Sequence, residues 1–183
     1  MAGEILRPLR PTLGFAPELL LKAQGIAAAI FDVDGVLTDG RIYIGEQGET
    51  VKAFSTLDGH GLKLLAQAGI EPVVLTGRDS PAVRRRVADL GLVHAVYGAH
   101  DKLAAAEALR ARLGLRWDQL AAIGDDWPDQ PLLQRVAFAA APCPPGAVVT
   151  WSTSARTSAW AWAGRYAGLL CGPLETLDSG GAA

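Results

Sequence analysis

Six consecutive apolar residues, Ile26 to Phe31 (IAAAIF), run straight into two aspartates spaced by one residue, Asp32-Val33-Asp34-Gly35. A short apolar run without polar alternation belongs to a strand covered on both faces, as in a parallel sheet. Parallel strands need long crossovers, so the rest of the chain must supply helices between further strands of the same kind.

The sequence meets that demand. A short helix is expected over Pro17 to Gln24. Ile42 to Ile44 and Val51 to Phe54 flank Gly45-Glu46-Gln47-Gly48-Glu49 and read as a β-hairpin. Gly61 to Ala68 reads as a helix stopped by Gly69, and Pro72 to Leu75 as a second buried strand. Ser80-Pro81 opens a helix to about Leu90, with serine as N-cap. Ala95 to Tyr97 is a short strand, and Lys102 to Leu113 a helix ended by Gly114. Leu120 to Ile123 is a strand, Gln130 to Arg135 a short helix, and Val136 to Ala140 a last strand. Strands alternating with helices predict an α/β fold, a parallel sheet flanked by helices with right-handed crossovers.

Composition narrows the function classes. With 17 basic and 19 acidic residues the formal charge is −2, which exerts no long-range pull on nucleic acid or anionic lipid. Neither nucleic acid nor a membrane is an expected partner. No apolar stretch is long enough to cross a bilayer, and Met1 to Arg10 carries charges with no long apolar core behind them. Cys143 and Cys171 make neither a disulfide framework nor a zinc pair. A cytoplasmic location is the expectation.

The chemistry sits where strands end, the edge at which open parallel sheets bind ligands. Asp32 and Asp34 point the same way in extended chain and suit a hard cation such as magnesium. A carboxylate there is also a nucleophile toward phosphorus, and its neighbour a general acid and base. Thr76-Gly77-Arg78 follows the second strand, offering a hydroxyl and a backbone N–H to a phosphoryl oxygen and a guanidinium to an anion. Lys102 opens a helix after His100-Asp101 and can balance negative charge. Gly124-Asp125-Asp126, with Asp129 behind it, offers further carboxylates. Each piece alone also reads as ordinary turn or surface chemistry; the order of all four is what carries information. His94 and His100 read as surface or structural residues. His60, beside Asp58-Gly59, is a candidate for substrate contact. Arg84, Arg85 and Arg86 wrap almost around a helix and read as a solvated face.

D-x-D-G-V-L-T-D-G, T-G-R, the helix-opening lysine and G-D-D-x-x-D resemble, in order, the four motifs of the haloacid dehalogenase superfamily of phosphotransferases, over about Ala27 to Ala140. DVDGVLTDG followed by a hairpin, then Phe54-x-x-x-Asp58-Gly59-x-Gly61, Leu75-Thr76-Gly77-Arg78 and Asp101-Lys102, looks like the 3-deoxy-D-manno-octulosonate 8-phosphate phosphatases, a family of its capless branch. The resemblance implies a Rossmann-like sheet with no cap domain, a magnesium cofactor and a short sugar-acid phosphate as substrate, in lipopolysaccharide biosynthesis. It implies Asp32 as nucleophile and metal ligand, Asp34 as general acid and base that also ligates through its carbonyl, and Asp125 as the third ligand, with Asp126 and Asp129 in support. Thr76 and Lys102 would hold the phosphoryl group. Gly77 and Arg78 would face the sugar acid, with Asp58, Gly59 and His60 close to it. Between Asp39 and Phe54 there is room for a hairpin but not a lid, and the branch implies a homotetramer built through Arg41 to Phe54. The same chemistry on a nine-carbon sialic-acid-type phosphate is the near alternative. A receiver-like phosphoacceptor or a non-catalytic subunit are alternatives of another class.

The single expected domain spans 1–183, with its core at about 25–140. From Ala141 onward only Arg156, Arg165, Glu175 and Asp178 are charged, and three of the five tryptophans cluster. Nothing from Cys143 onward matches the resembling family, and an aberrant tail, such as one read from a shifted frame, is the expectation there.

Overall fold

The computed structural model describes residues 21, 23–46, 48–142 and 149–151. Most of the helix expected over 17–24 and most of the atypical tail lie outside them. The strands are β1 (Ala28–Phe31), β2 (Tyr43–Gly45), β3 (Gly48–Val51), β4 (Glu71–Leu75), β5 (His94–Val96), β6 (Leu120–Ile123), β7 (Phe138–Ala141) and β8 (Val149–Trp151). The helices are α1 (Thr56–Gln67), α2 (Pro81–Leu90), α3 (Lys102–Leu113) and α4 (Gln130–Leu133).

Six strands form one sheet in the order β5-β4-β1-β6-β7-β8, and β2 and β3 pair separately as the hairpin. The expected α/β fold with a parallel sheet and a small hairpin is present. β1 pairs in parallel with β4 on one side and β6 on the other. Within this sheet, among the described residues, only β8 runs antiparallel, against β7. It comes from the segment where no strand was expected, and covers an edge that β7 would otherwise leave unpaired.

Alternation along β1 sends its side chains to opposite faces. Ala28 and Ile30, with Val73 and Leu75, pack toward Ala106 and Leu109 of α3 and Leu132 and Leu133 of α4. Ala29 and Phe31, with Val74, pack toward Leu62 of α1 and Val83 and Val87 of α2. Each such large aliphatic side chain removed from water contributes about 1.5–3 kcal/mol.

Three expectations are corrected. The hairpin turn is tighter than a five-residue loop, because Gly45 pairs with Gly48, whose φ of +104° is open to glycine, so the second arm starts earlier and ends at Val51. α1 begins at Thr56, not Gly61, capped by Ser55, whose hydroxyl accepts from the Leu57 N–H at 3.1 Å. Gly59 and Gly61 hid that start, since glycine weakens any helical reading. Gly59 lies where α1 crosses α2: a Cβ there would meet Arg86 Nη2 at 2.4 Å and Leu90 Cδ2 at 3.0 Å. Ser80 occupies the N-cap position of α2 but makes no side-chain cap; its hydroxyl donates to Glu49 Oε1 at 2.7 Å instead.

Candidate active site

β1 and β6 pair through Phe31 and Ile123, so the chain leaves both strands side by side. The Asp32 N–H donates to the Ile123 carbonyl at 3.0 Å. Asp125 follows two residues after β6, and Thr76 is the first residue after β4. Residues far apart in the chain therefore meet at one sheet edge, around the central strand where the topology switches direction.

Within this cluster, oxygens of Asp32, Asp125 and Asp129 lie within 4.8 Å of one another. Lys102, the first residue of α3, reaches into it. Its Nζ lies 2.9 Å from Asp32 Oδ1 and 2.7 Å from Asp129 Oδ1. All three side chains of that bridge are buried. One cation among three carboxylates leaves a negative surplus. Burial, then the Asp129 charge, pushes the Asp32 carboxyl up to about 6 despite Lys102. Burial, then the charges of Asp32 and Asp129, pushes Asp125 up to about 7. Burial alone would lower Lys102, but Asp32 and Asp129 outweigh it and hold its ammonium above the ordinary lysine range.

Asp129 has both oxygens engaged, Oδ1 by Lys102 and Oδ2 by the Asp126 N–H at 3.3 Å. Asp125 does not: its Oδ1 is buried without a hydrogen-bond partner. A buried carboxylate oxygen left unpaired is costly unless a cation meets it. The donor set is all oxygen and all carboxylate, which fits a hard divalent ion. Two glycines make the crowding possible. A Cβ on Gly35 would lie 1.8 Å from Asp125 Oδ2, and one on Gly124 would lie 2.4 Å from Asp129 Cγ.

A cavity of about 220 Å³ opens beside the cluster, walled by Asp32, Asp34, Thr76, Arg78, His100 and Lys102, with Gly77, Asp126 and Pro128 also on its wall. Thr76 is buried, and its hydroxyl accepts from the Arg78 N–H at 3.3 Å. Arg78 is half exposed, with Nε 3.6 Å from Asp34 Oδ2. The wall thus carries Asp32 of the carboxylate cluster, a second carboxylate, a hydroxyl and two cations, the parts needed to receive a phosphate monoester.

The structure does not bring every candidate there. Asp58, Gly59 and His60 do not line this cavity; they lie in the first turns of α1, with Asp58 and His60 exposed and Gly59 packed under Arg86. The helix starts at Thr56 rather than Gly61, so all three sit within it. Arg84 and Arg85 are exposed and Arg86 is half-buried, and all three are engaged: Arg84 pairs with Asp79 at 2.6 Å, Arg85 with Asp89 at 2.9 Å, and Arg86 Nη2 donates to the Ser55 carbonyl at 3.0 Å.

Two residues escaped the sequence reading. His100 lines the cavity; only its place next to Asp101-Lys102 hinted at this. Lys52 is buried among carboxylates, paired with Asp34 Oδ1 and 3.3 Å from Glu49 Oε2. Burial raises Glu49, but hydrogen bonds from Ser80 and Lys52 and the charges of Lys52 and Arg78 leave it below the ordinary carboxylate range. The sequence carried no signal for Lys52, since only the folded chain buries it while leaving Val51 exposed.

No protein-family profile matches the chain. A curated relative does: the 3-deoxy-D-manno-octulosonate 8-phosphate phosphatase KdsC of Salmonella typhimurium is 40% identical over 126 residues, covering 69% of this chain and 67% of the relative. The chain belongs to the 3-deoxy-D-manno-octulosonate 8-phosphate phosphatase family. The Escherichia coli K12 member of that family is 39% identical over 124 residues, covering 68% of this chain and 66% of the relative. The chain thus spans about two thirds of the length of these curated members. Among solved structures, the cobalt-bound family member from Haemophilus influenzae superposes with a TM-score of 0.64 at 42% identity, covering 66% of this chain and 70% of that one. The family phosphatase from Moraxella catarrhalis, in complex with magnesium, phosphate and KDO, gives 0.65 at 40% identity, covering 68% and 71%.

Proposed function

We propose that the protein is a magnesium-dependent phosphomonoesterase that hydrolyses 3-deoxy-D-manno-octulosonate 8-phosphate to the free sugar acid and inorganic phosphate, a cytoplasmic step in lipopolysaccharide biosynthesis. The observation that carries this is the buried Asp125 Oδ1 without a hydrogen-bond partner, close to Asp32, which itself lines the cavity with Thr76, Arg78 and Lys102. The family assignment supports the substrate.

Asp32 and Asp125 would hold the magnesium through carboxylates and Asp34 through its carbonyl, with Asp129 tied to Lys102. Held there, the ion would supply positive charge to offset that of the transferring phosphoryl group. The chain's own residues do the rest. Asp32 attacks phosphorus while the bond from phosphorus to the sugar oxygen breaks, and Asp34 gives that oxygen a proton. Water then attacks the aspartyl phosphate, Asp34 takes its proton, and the Asp32 carboxylate and inorganic phosphate are regenerated. Thr76 and Lys102 place the phosphoryl oxygens, and Gly77 and Arg78 meet the sugar acid. Positioning and charge neutralisation are most of what phosphoryl transfer requires.

The hairpin supports a homotetramer within this reading. Ile44 is 76% and Val51 58% exposed, and Ile42 and Tyr43 are also open to solvent, apolar surface on the hairpin that further copies would cover.

The test is phosphate release from 3-deoxy-D-manno-octulosonate 8-phosphate and from a nine-carbon sialic-acid-type phosphate, with magnesium and with EDTA. Turnover of the eight-carbon substrate, abolished by EDTA and reduced by several orders of magnitude in Asp32→Asn, is expected. Preference for the nine-carbon phosphate would reassign the substrate.

A further inference from the structure

Lys52 has no part in the scheme above, yet it is a buried cation within reach of it. Its side chain is wholly shielded from solvent and it does not line the cavity, so it does not touch substrate. Its ammonium instead grips Asp34 Oδ1 and Glu49 Oε2, and Glu49 Oε1 accepts from Ser80 at the start of α2. The other oxygen, Asp34 Oδ2, faces Arg78 of the cavity wall. One end of the Asp34 carboxylate is therefore anchored and the other presented.

We propose that Lys52 is a positioning residue for Asp34, clamping one carboxylate oxygen so that the other alone exchanges protons with the leaving group and the attacking water. This rests on the phosphatase reading above. Burying an ammonium is unfavourable unless its charge is paired and its protons used. The Glu49–Lys52 pair meets that cost and bolts the hairpin to both the Asp34 loop and α2. A carboxylate free to change rotamer spends only part of its time in the productive geometry, and small misplacements are expensive in catalysis.

The test compares leaving groups. An alkoxide needs Asp34's proton and nitrophenolate does not, so kcat/KM separates them. Lys52→Met should lower kcat/KM on the sugar-acid phosphate by roughly 100-fold, the scale of a proton-transfer contribution. On p-nitrophenyl phosphate it should fall only a few-fold. Lys52→Arg, which keeps the charge, should recover much of the loss. An equal fall on both substrates, or no fall on either, overturns the proposal. If Lys52→Met gives no cooperative melt, the same ratio is read in Glu49→Gln and Ser80→Ala, which loosen the lysine without removing it; an unchanged ratio in both overturns it. A wild-type protein that cleaves p-nitrophenyl phosphate but not the sugar-acid phosphate sinks the substrate reading alone, and a simple alkyl phosphate then takes its place in the comparison.

Discussion

Gly35 and Asp125 share one space between two strand tips: a methyl group on Gly35 would lie 1.8 Å from Asp125 Oδ2 and 2.9 Å from Oδ1. Gly35 also has φ of +90°, where a side chain is strained. Gly35→Ala should therefore cost about 1–3 kcal/mol in urea denaturation and displace the Asp125 carboxylate. The distinguishing expectation is a lost thermal response to magnesium. A variant that magnesium still stabilises as it does the wild type would contradict the crowding.

Lys102 is the cation that lets Asp32 and Asp129 coexist. Lys102→Met leaves a cluster of buried carboxylates with no counter-charge. Breaking such a pair from one side costs about 3–5 kcal/mol, measured on metal-free protein by denaturant melts. Magnesium should recover part of that stability but not the turnover. Wild-type stability in EDTA would be inconsistent with the bridge.

The raised carboxyls of Asp32 and Asp125, at about 6 and about 7, set a pH dependence. Between about pH 4 and 7 the folded, metal-free protein holds protons that the unfolded chain has already released. Its stability therefore declines as pH rises through that window and levels off above it. Glu49, with a lowered carboxyl, acts with opposite sign, at the acid end of that window and below it. A divalent ion must displace the same protons, so magnesium should raise Tm more at pH 8 than at pH 5. Melting curves with magnesium or EDTA check both slopes; a metal-free Tm climbing from pH 5 to 7 would reverse the sign.

The apolar hairpin face predicts that Ile44→Asp disrupts assembly without unfolding the domain, because Ile44 touches solvent and not the core. Light scattering should show a tetramer in the wild type and smaller species in the variant. A wild-type monomer at working concentration would remove the interface argument.

Much of the site was legible because its parts are local. Asp32, Thr76 and Asp125 are each announced by the apolar strand just before them, and Lys102 by the Asp101 cap that opens α3, whose carboxylate accepts from the Ala104 N–H at 2.9 Å. Other parts had no local signature. Ser80 reads as a cap, yet its hydroxyl goes to Glu49, 31 positions away. Asp58, Gly59 and His60 read as residues ahead of a helix from Gly61, because the glycines weaken the helical reading of a segment that Ser55 caps.

Short-range chemistry thus came from the chain itself: buried strand, turn and cap are decided within a few residues, because backbone sterics and side-chain periodicity act over that range. Which oxygens share a charge was settled only on folding. Asp129 became the anchor of Lys102 and Lys52 the anchor of Asp34. Those pairings depend on where the sheet and the hairpin place distant segments, and on burial that makes an unpaired charge too costly to leave.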